Sequence, residues 1–215
     1  MSGYQPTWEG GQEVGIGWRD CNTRYEAIKR YLIGRMGHQI PQIPSNPKVF
    51  DLGAYNGYFC RRLADDFQAQ CIAVDGQPFL TDYESPSGGQ VTAIRQLFKP
   101  SDILQMPDQD IVLCLSVLHH WREWREYLAA LLAIGGVVFI ETANPAENMN
   151  NDAKAYAADA ENVLRQHPAA SILVETPPMN HHKDVLRPLW VIDPQMQEYS
   201  DGMAEWWQLA MGRPG

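Results

Sequence analysis

The stretch Val49-Phe-Asp51-Leu-Gly53-Ala-Tyr-Asn-Gly57-Tyr-Phe-Cys decides the fold of this chain. A short apolar segment runs into an acidic residue, then into a loop with two glycines, and then into residues spaced as in an amphipathic helix. Glycine has no Cβ atom and accepts positive φ angles, so a ligand can approach such a loop closely. We therefore expect a nucleoside-containing ligand to bind beside this loop.

Strand-like and helix-like patterns alternate along the rest of the chain. Apolar runs predict strands over residues 48–51, 70–74, 91–95, 111–115, 137–141, 171–175 and 189–192. Apolar residues three or four apart predict helices over residues 24–36, 58–67, 121–133 and 151–166. Strands that alternate with helices form right-handed βαβ units, so we expect an α/β fold with a mostly parallel sheet and helices on both faces.

The N-terminal region precedes this alternation. Residues 1–22 show no periodicity and are predicted to be irregular. Thr23 and Glu26 have the spacing of a capping box, which predicts that a helix starts at residue 24, and Gly37 is expected to end it. The predicted organisation is an N-terminal extension that covers the cofactor or acceptor, a central domain and a C-terminal tail, over residues 1–46, 47–195 and 196–215.

Composition bounds the partners and the compartment. The net charge of −9 disfavours duplex nucleic acid as the main ligand, because nucleic-acid-binding proteins usually carry a basic face. A local basic patch remains open, although most Arg and Lys residues of the predicted helices are expected to face solvent. No apolar run approaches the roughly 18 residues of a membrane span, and the N-terminus lacks the pattern of a signal peptide. We expect a cytoplasmic protein without a membrane partner.

The four cysteines are scattered, and none forms a C-x-x-C pair, so we expect no thiolate zinc site and no other metal. Cys60, Cys71 and Cys114 fall in predicted core elements and are expected to be small buried apolar residues. Reduced thiols fit a cytoplasmic setting.

Ligands of open α/β sheets bind at the carboxyl ends of the strands. The glycine spacing after the first strand is neither the G-x-G-x-x-G pattern of dinucleotide-binding folds nor a P-loop. Asp51 at this strand end would repel a pyrophosphate and would attract a cationic ligand. A sulfonium and ammonium compound such as S-adenosylmethionine (SAM) meets that requirement.

The motif Asp51-x-Gly53-x-x-x-Gly57 resembles motif I of the class I SAM-dependent methyltransferases. Asp75 is similar to the family's ribose-binding acid, and residues 102–104 resemble its adenine-contacting loop. Residues 110–120, 136–141 and 187–192 resemble its strands four, five and seven. The resemblance implies SAM as cofactor, S-adenosylhomocysteine (SAH) as product, and a Rossmann-like sheet of order 3-2-1-4-5-7-6 whose last strand is antiparallel. It implies these cofactor-binding residues: Asp51, Gly53, Ala54, Tyr55, Asn56, Gly57, Phe59, Asp75, Gly76, Gln77, Asp102, Ile103, Leu104, Ser116 and Arg24.

Tyr55 stands where the family motif usually has a further glycine. The form with Gly57-Tyr58-Phe59 is similar to a subgroup that includes tRNA wobble-uridine modifying enzymes, some of which use a modified SAM. The helix pattern Arg24-Tyr25-Glu-Ala-Ile28 also occurs there. This departure leaves the substrate open more than the cofactor.

His119 and His120 follow the fourth predicted strand and are the candidate general bases, because an imidazole titrates near neutral pH. Successive side chains of a strand point in opposite directions, so only one is expected to face the substrate. His119 is the first choice, and Glu141 at the next strand end is the candidate to orient it. The alternatives are that the histidines pack or cap a helix and that Glu141 is a solvated carboxylate.

Trp18, His181 and His182 are candidate acceptor-binding residues, because N-terminal extensions and the loop before the last strand border the acceptor site in the family. Arg24 could pair with the carboxylate of SAM or lie exposed on its helix. Trp206 and Trp207 in the tail suggest a contact with another surface, so both a monomer and a homodimer remain open.

The leading hypothesis is an enzyme that transfers a methyl group from SAM to a small polar acceptor, at oxygen, by positioning and a histidine base. One alternative is a methyltransferase or wobble-uridine modifying enzyme that acts on tRNA or another nucleic acid. The other is a SAM-binding or structural protein without turnover.

Overall fold

The computed structural model describes residues 2–36, 43–179 and 184–194. The first residues form short strands, so the prediction of an irregular segment is wrong. β1 (Ser2–Gly3) pairs in parallel with β4 (Ile16–Gly17), and β2 (Thr7–Glu9) and β3 (Gln12–Val14) form an antiparallel hairpin. Gly10 and Gly11 adopt positive φ angles of 58° and 80° in its two-residue turn, a conformation that glycine adopts without strain.

Helix α1 (Cys21–Met36) starts three residues before the predicted position. The side chain of Asp20 accepts a hydrogen bond of 2.9 Å from the backbone N–H of Thr23. Asp20 therefore caps the helix, and the predicted capping box is wrong because Thr23 already lies in the first turn. Gly37, the predicted helix end, lies outside the described residues.

The central sheet has eight strands in the order β11-β12-β10-β9-β5-β6-β8-β7. All neighbours pair in parallel except β12 with β10 and β11, and β7 with β8. The seven predicted strands follow the predicted order, and β7 adds an eighth at the edge. The strands are β5 (Lys48–Leu52), β6 (Gln70–Val74), β7 (Tyr83–Glu84), β8 (Gln90–Ile94), β9 (Gln109–Leu115), β10 (Gly135–Glu141), β11 (Ala170–Thr176) and β12 (Arg187–Ile192).

The remaining helices are α2 (Tyr58–Phe67), α3 (Pro100–Ile103), α4 (Trp124–Ile134) and α5 (Asn151–Arg165). Residues 118–120 form a 3₁₀ turn, so α4 begins three residues later than predicted. One apolar cluster joins α1 and α2 to the sheet, and a second joins α4 and α5 to it.

The four cysteines are buried and free, as expected for Cys60, Cys71 and Cys114. Every described helix falls short of the length and apolar character that a membrane span requires.

Gly89, just before β8, packs directly on the backbone of α2. A Cβ atom there would lie 2.2 Å from the carbonyl oxygen of Ala64. We expect Gly89→Ala to lower the free energy of unfolding by about 1–3 kcal/mol, as overpacking does. Gly34→Ala is the control, because its Cβ would meet no atom within 4 Å. Urea unfolding of both variants checks this, and a Gly89→Ala protein as stable as the control would contradict it.

Candidate active site

The loop after β5 depends on glycine at Gly53. Its φ angle is 82°, and a Cβ atom would lie 2.3 Å from Cγ2 of Val117. The N–H groups of Gly53 and Ala54 donate to the carbonyl oxygen of Val74 at 2.8 and 3.1 Å. The backbone conformation and the contact with Val117 therefore both favour glycine here.

Asp75 connects this loop to the end of β6. Its Oδ2 accepts a hydrogen bond from the Tyr55 N–H at 2.8 Å, and its Oδ1 accepts one from the Gln77 N–H at 2.8 Å. Each carboxylate oxygen can accept a second hydrogen bond, so Asp75 keeps the capacity to accept from ligand hydroxyls.

A cavity of about 480 Å³ lies at the carboxyl edge of the sheet. One half is formed by the ends of β5, β6 and β8 and the loops after them. Its lining residues are Leu52, Gly53, Tyr55, Val74, Asp75, Gly76, Gln77, Gln96, Leu97 and Phe98.

The other half combines segments that are distant in sequence. They come from the N-terminus, the end of β9, the loop after β10, and the region that joins β11 to β12. The lining residues are Tyr4, Gln5, Leu115, Ser116, Val117, His119, His120, Trp121, Glu147, Asn148, Met149, Met179 and Arg187.

The structure places part of the predicted site on this cavity. Gly53, Tyr55, Asp75, Gly76, Gln77, Ser116, His119 and His120 line it. His181 and His182 lie outside the described residues. The wall of the cavity does not include these predicted residues: Asp51, Ala54, Asn56, Gly57, Phe59, Asp102, Ile103, Leu104, Arg24, Glu141 and Trp18.

Several of those residues hold the wall in place from behind. Asn56 donates from Nδ2 to the Pro6 carbonyl at 2.9 Å, and Phe59 packs in the core under Arg24. Asp102 accepts a hydrogen bond from the Lys99 N–H at 2.8 Å at the start of α3, while Leu97 and Phe98 form the cavity wall there instead.

Asp51 is also buried behind the wall. Burial raises the pKa of its carboxyl to about 7, and Cys60 Sγ lies 3.5 Å from Oδ2. The prediction that Asp51 places a negative charge at the ligand site is therefore wrong. Its carboxyl lies in the core, where ionisation is costly.

The prediction that Glu141 orients His119 is wrong, because the Glu141 carboxylate has other partners. Its fully buried carboxylate pairs with Arg19, with Nη1 of Arg24 at 3.0 Å, and with the hydroxyl of Ser116, which donates to it. Burial alone would raise the pKa of Glu141, but Arg24, Arg19 and Arg187 outweigh it and hold the pKa below its ordinary value.

Two predictions change with this network. Glu141 is neither a solvated carboxylate nor the partner of the imidazole, because two guanidinium groups occupy its oxygens. Arg24 is neither exposed nor placed on the cavity wall, since its side chain is buried against Glu141.

The two histidines lie side by side, with ring centroids 4.0 Å apart. His119 is buried and His120 is exposed. Burial, with His120, Arg187 and Arg19 nearby, lowers the pKa of His119 to about 3, so this imidazole is neutral at physiological pH. Its buried Nδ1 atom has no hydrogen-bond partner among the residues that the structure describes.

Arg187 at the start of β12 was predicted only as a strand residue. Its Nε and Nη2 atoms donate to the two carboxylate oxygens of Glu147 at 2.6 and 2.5 Å. Its buried Nη1 atom has no partner within the described part of the chain. The signal that could have found it is the predicted antiparallel direction of this strand, which puts its first residue at the carboxyl edge of the parallel strands.

Comparisons with known proteins agree with this fold. The model of a family described as "Methyltransferase domain" matches residues 24–204. The mostly parallel sheet flanked by helices, in this strand order, defines a Rossmann-like fold. The chain belongs to the methyltransferase-domain family. The family and the fold together indicate SAM as the methyl donor, as the sequence predicts.

Solved structures are similar at low sequence identity. The bifunctional kinase-methyltransferase WbdD matches with a TM-score of 0.62 and 20% identity, over 82% of this chain and 40% of that one. The N-terminal domain of EvdMO1, solved in the presence of SAH and D-fucose, matches with a TM-score of 0.54 and 14% identity, over 87% and 89%. The chain thus spans about two fifths of the length of WbdD. No curated protein matches the chain in sequence.

The Glu141 network predicts a strong dependence of stability on this carboxylate. Glu141→Gln leaves Arg19 and Arg24 buried without their counter-charge, so we expect a loss of about 3–5 kcal/mol in the free energy of unfolding. The contribution is complete above the ordinary pKa of 4.5 and falls as pH drops through the lowered pKa of the folded state. Urea unfolding at pH 7.5 checks the variant against Glu161→Gln, which breaks an exposed pair with Arg165 and should cost less than about 1 kcal/mol. If both variants lost the same free energy of unfolding, the role of Glu141 as the buried counter-charge of Arg19 and Arg24 would be refuted.

Proposed function

We propose that this protein is a SAM-dependent methyltransferase that transfers a methyl group to oxygen of a small polar acceptor. The observation that carries the proposal is one continuous cavity at the carboxyl edge of the sheet. One of its ends has Asp75 and a glycine loop, and the other has buried polar side chains. A volume of about 480 Å³ is within the usual range for small-molecule sites.

The residues of the first half fit SAM. Asp75 keeps acceptor capacity for the two ribose hydroxyls, and Leu97 and Phe98 offer apolar surface to an adenine ring, together with Val117 from the other half. A Cβ atom at Gly76 would lie 2.8 Å from Cδ2 of Leu97, so glycine allows this wall to form. When bound, SAM supplies an activated methyl group with a neutral leaving group.

The chain's own residues then position the acceptor and take its proton. Holding the acceptor in line with the methyl group can lower the barrier by up to roughly 7–11 kcal/mol. The unpartnered Nδ1 of the neutral His119 is the proposed acceptor for the hydrogen bond from the acceptor hydroxyl and, during transfer, for its proton.

The nucleic-acid alternative, including wobble-uridine modification, requires a basic strip from α1 to the cavity mouth. Four arginines that could form it are buried. Arg24 pairs with Glu141, Arg62 with Glu26 at 2.7 Å, and Arg35 with Asp193 at 2.6 Å, while Arg61 donates to Thr81 at 2.6 Å. Their burial favours a small acceptor. The N-terminal domain of EvdMO1, which has a similar fold, was crystallised in the presence of SAH and a small sugar, D-fucose. A small acceptor for this chain is consistent with that pairing.

Asp75→Ala tests the cofactor site. Loss of its hydrogen bonds to the ribose should weaken SAM and SAH binding by at least about 10- to 100-fold, which corresponds to about 1.5–3 kcal/mol for a single bond to a charged group. Asp102→Ala is the matched control, because that carboxylate caps α3 away from the cavity wall. Isothermal titration calorimetry with SAH measures both variants. Unchanged affinity in Asp75→Ala would count against this site.

His119→Ala tests the proposed base. We expect kcat to fall by about 100-fold or more, in line with the loss of a general base, while the SAH affinity stays within about twofold. His120→Ala is the paired variant and should keep more of the activity than His119→Ala, because His120 borders the cavity with its side chain exposed to solvent. A methylation screen over metabolite and tRNA pools supplies the assay. SAH binding by a protein that methylates nothing in it would favour the non-catalytic alternative.

A further inference from the structure

We propose that the methyl acceptor is a small hydroxylated acid, whose anionic group Arg187 binds at the Glu147 end of the cavity. This inference rests on the proposed methyltransferase function and names the substrate class of the same site.

The first argument is the balance of buried charge. Arg19, Arg24 and Arg187 place three guanidinium groups beside one another, and Glu141 and Glu147 supply two carboxylates. Among the residues that the structure describes, this largely buried cluster therefore carries one positive charge in excess. Such a charge is costly in a medium of low polarity unless an anion compensates it. Asp75 lies on the other half of the cavity, beside β6.

The second argument is the set of unused polar atoms. Arg187 lines the cavity, its side chain is 9% exposed, and its Nη1 has no partner in the described ranges. A guanidinium group matches the geometry of carboxylate and phosphate oxygens. Gln5 and His119 line the same half and contribute acceptor atoms, Oε1 and Nδ1, that also lack described partners. The anionic group of a ligand can accept from Arg187 Nη1, and a ligand hydroxyl can donate its one proton to either of the two acceptor atoms.

The third argument separates this subsite from the cofactor. Arg187 begins β12, which is three strands from β5 in the order β12-β10-β9-β5. At about 4.8 Å per strand, the two strands lie about 14 Å apart. Asp75 follows β6, one strand further away. The excess charge at Arg187 is thus on the side of the cavity away from Asp75, where space remains for an acceptor beside the cofactor.

Calorimetry with matched ligands tests the proposal. Small hydroxy acids and their primary amides, such as lactate with lactamide and 4-hydroxybenzoate with 4-hydroxybenzamide, are titrated into the protein with and without SAH. We expect at least one acid to bind the wild type about 10-fold more tightly than its amide. If no acid in the panel is preferred to its amide, the proposal is overturned.

Two variants assign the preference to Arg187. Glu147→Gln releases the guanidinium from its competing carboxylate and should strengthen acid binding by about threefold or more. The double variant Arg187→Gln/Glu147→Gln removes both charges together and should abolish the preference for the acid. Arg165→Gln, which alters an exposed pair with Glu161, is the control and should bind as the wild type does.

The remaining outcomes are also decisive. An acid preference that persists in the double variant overturns the proposal. So does a 10-fold loss of SAH affinity in that variant, because Arg187 would then serve the cofactor. A wild type that binds acids but not SAH would instead count against the proposed methyltransferase function.

Discussion

One buried carboxylate, Glu141, holds the N-terminal segment against the carboxyl edge of the sheet. Arg19 reaches it from the segment before α1, and Arg24 reaches it from the first turns of α1. Arg19 also donates to the carbonyl of Pro178 at 2.5 Å, beyond the end of β11. The cluster therefore joins three parts of the chain that the sheet alone would leave separate.

The cavity depends on this attachment. The backbone N–H of Arg19 donates to the carbonyl of Tyr4 at 3.2 Å, and Tyr4 and Gln5 form part of the cavity wall. Gly17 permits the close packing, because a Cβ atom there would lie 2.3 Å from Cδ of Pro6. The buried charge cluster thus sets the position of the half of the cavity that we propose for the acceptor, while the half with Asp75 and Gly53 is formed by loops that directly follow their strands.

Elements and loops that local sequence determines could be predicted, whereas parts of the cavity that long-range contacts determine could not. The helix over residues 58–67 and the strand over residues 70–74 match the structure at both ends, because local apolar spacing determines them. Asp75 and Gly53 were found for the same reason, since each directly follows a strand. The Gly10-Gly11 turn was also a local signal, and attention to it would have predicted the β2–β3 hairpin.

The contacts that were missed are long-range. The partners of Glu141 are 117 and 122 residues away in sequence, and no spacing pattern reports such a pair. A glutamate at a strand end fits a solvated or catalytic carboxylate equally well, so the sequence alone assigned it the wrong contacts. Arg187 and Glu147 pair across 40 residues, and only the antiparallel direction of β12 brings them to one cavity.

The proposed acid subsite and the proposed base are linked by the same charges. Burial and the positive groups Arg187 and Arg19 lower the pKa of His119 to about 3, which makes the imidazole a weak base in the free protein. An acceptor anion on Arg187 would offset part of that positive field and raise the pKa of His119. A neutral acceptor would leave the field unchanged. The acidic group would then contribute twice, because it would orient the hydroxyl and would also restore the basicity of His119, which takes the proton. Uncharged analogues would therefore be disfavoured at the chemical step as well as in binding.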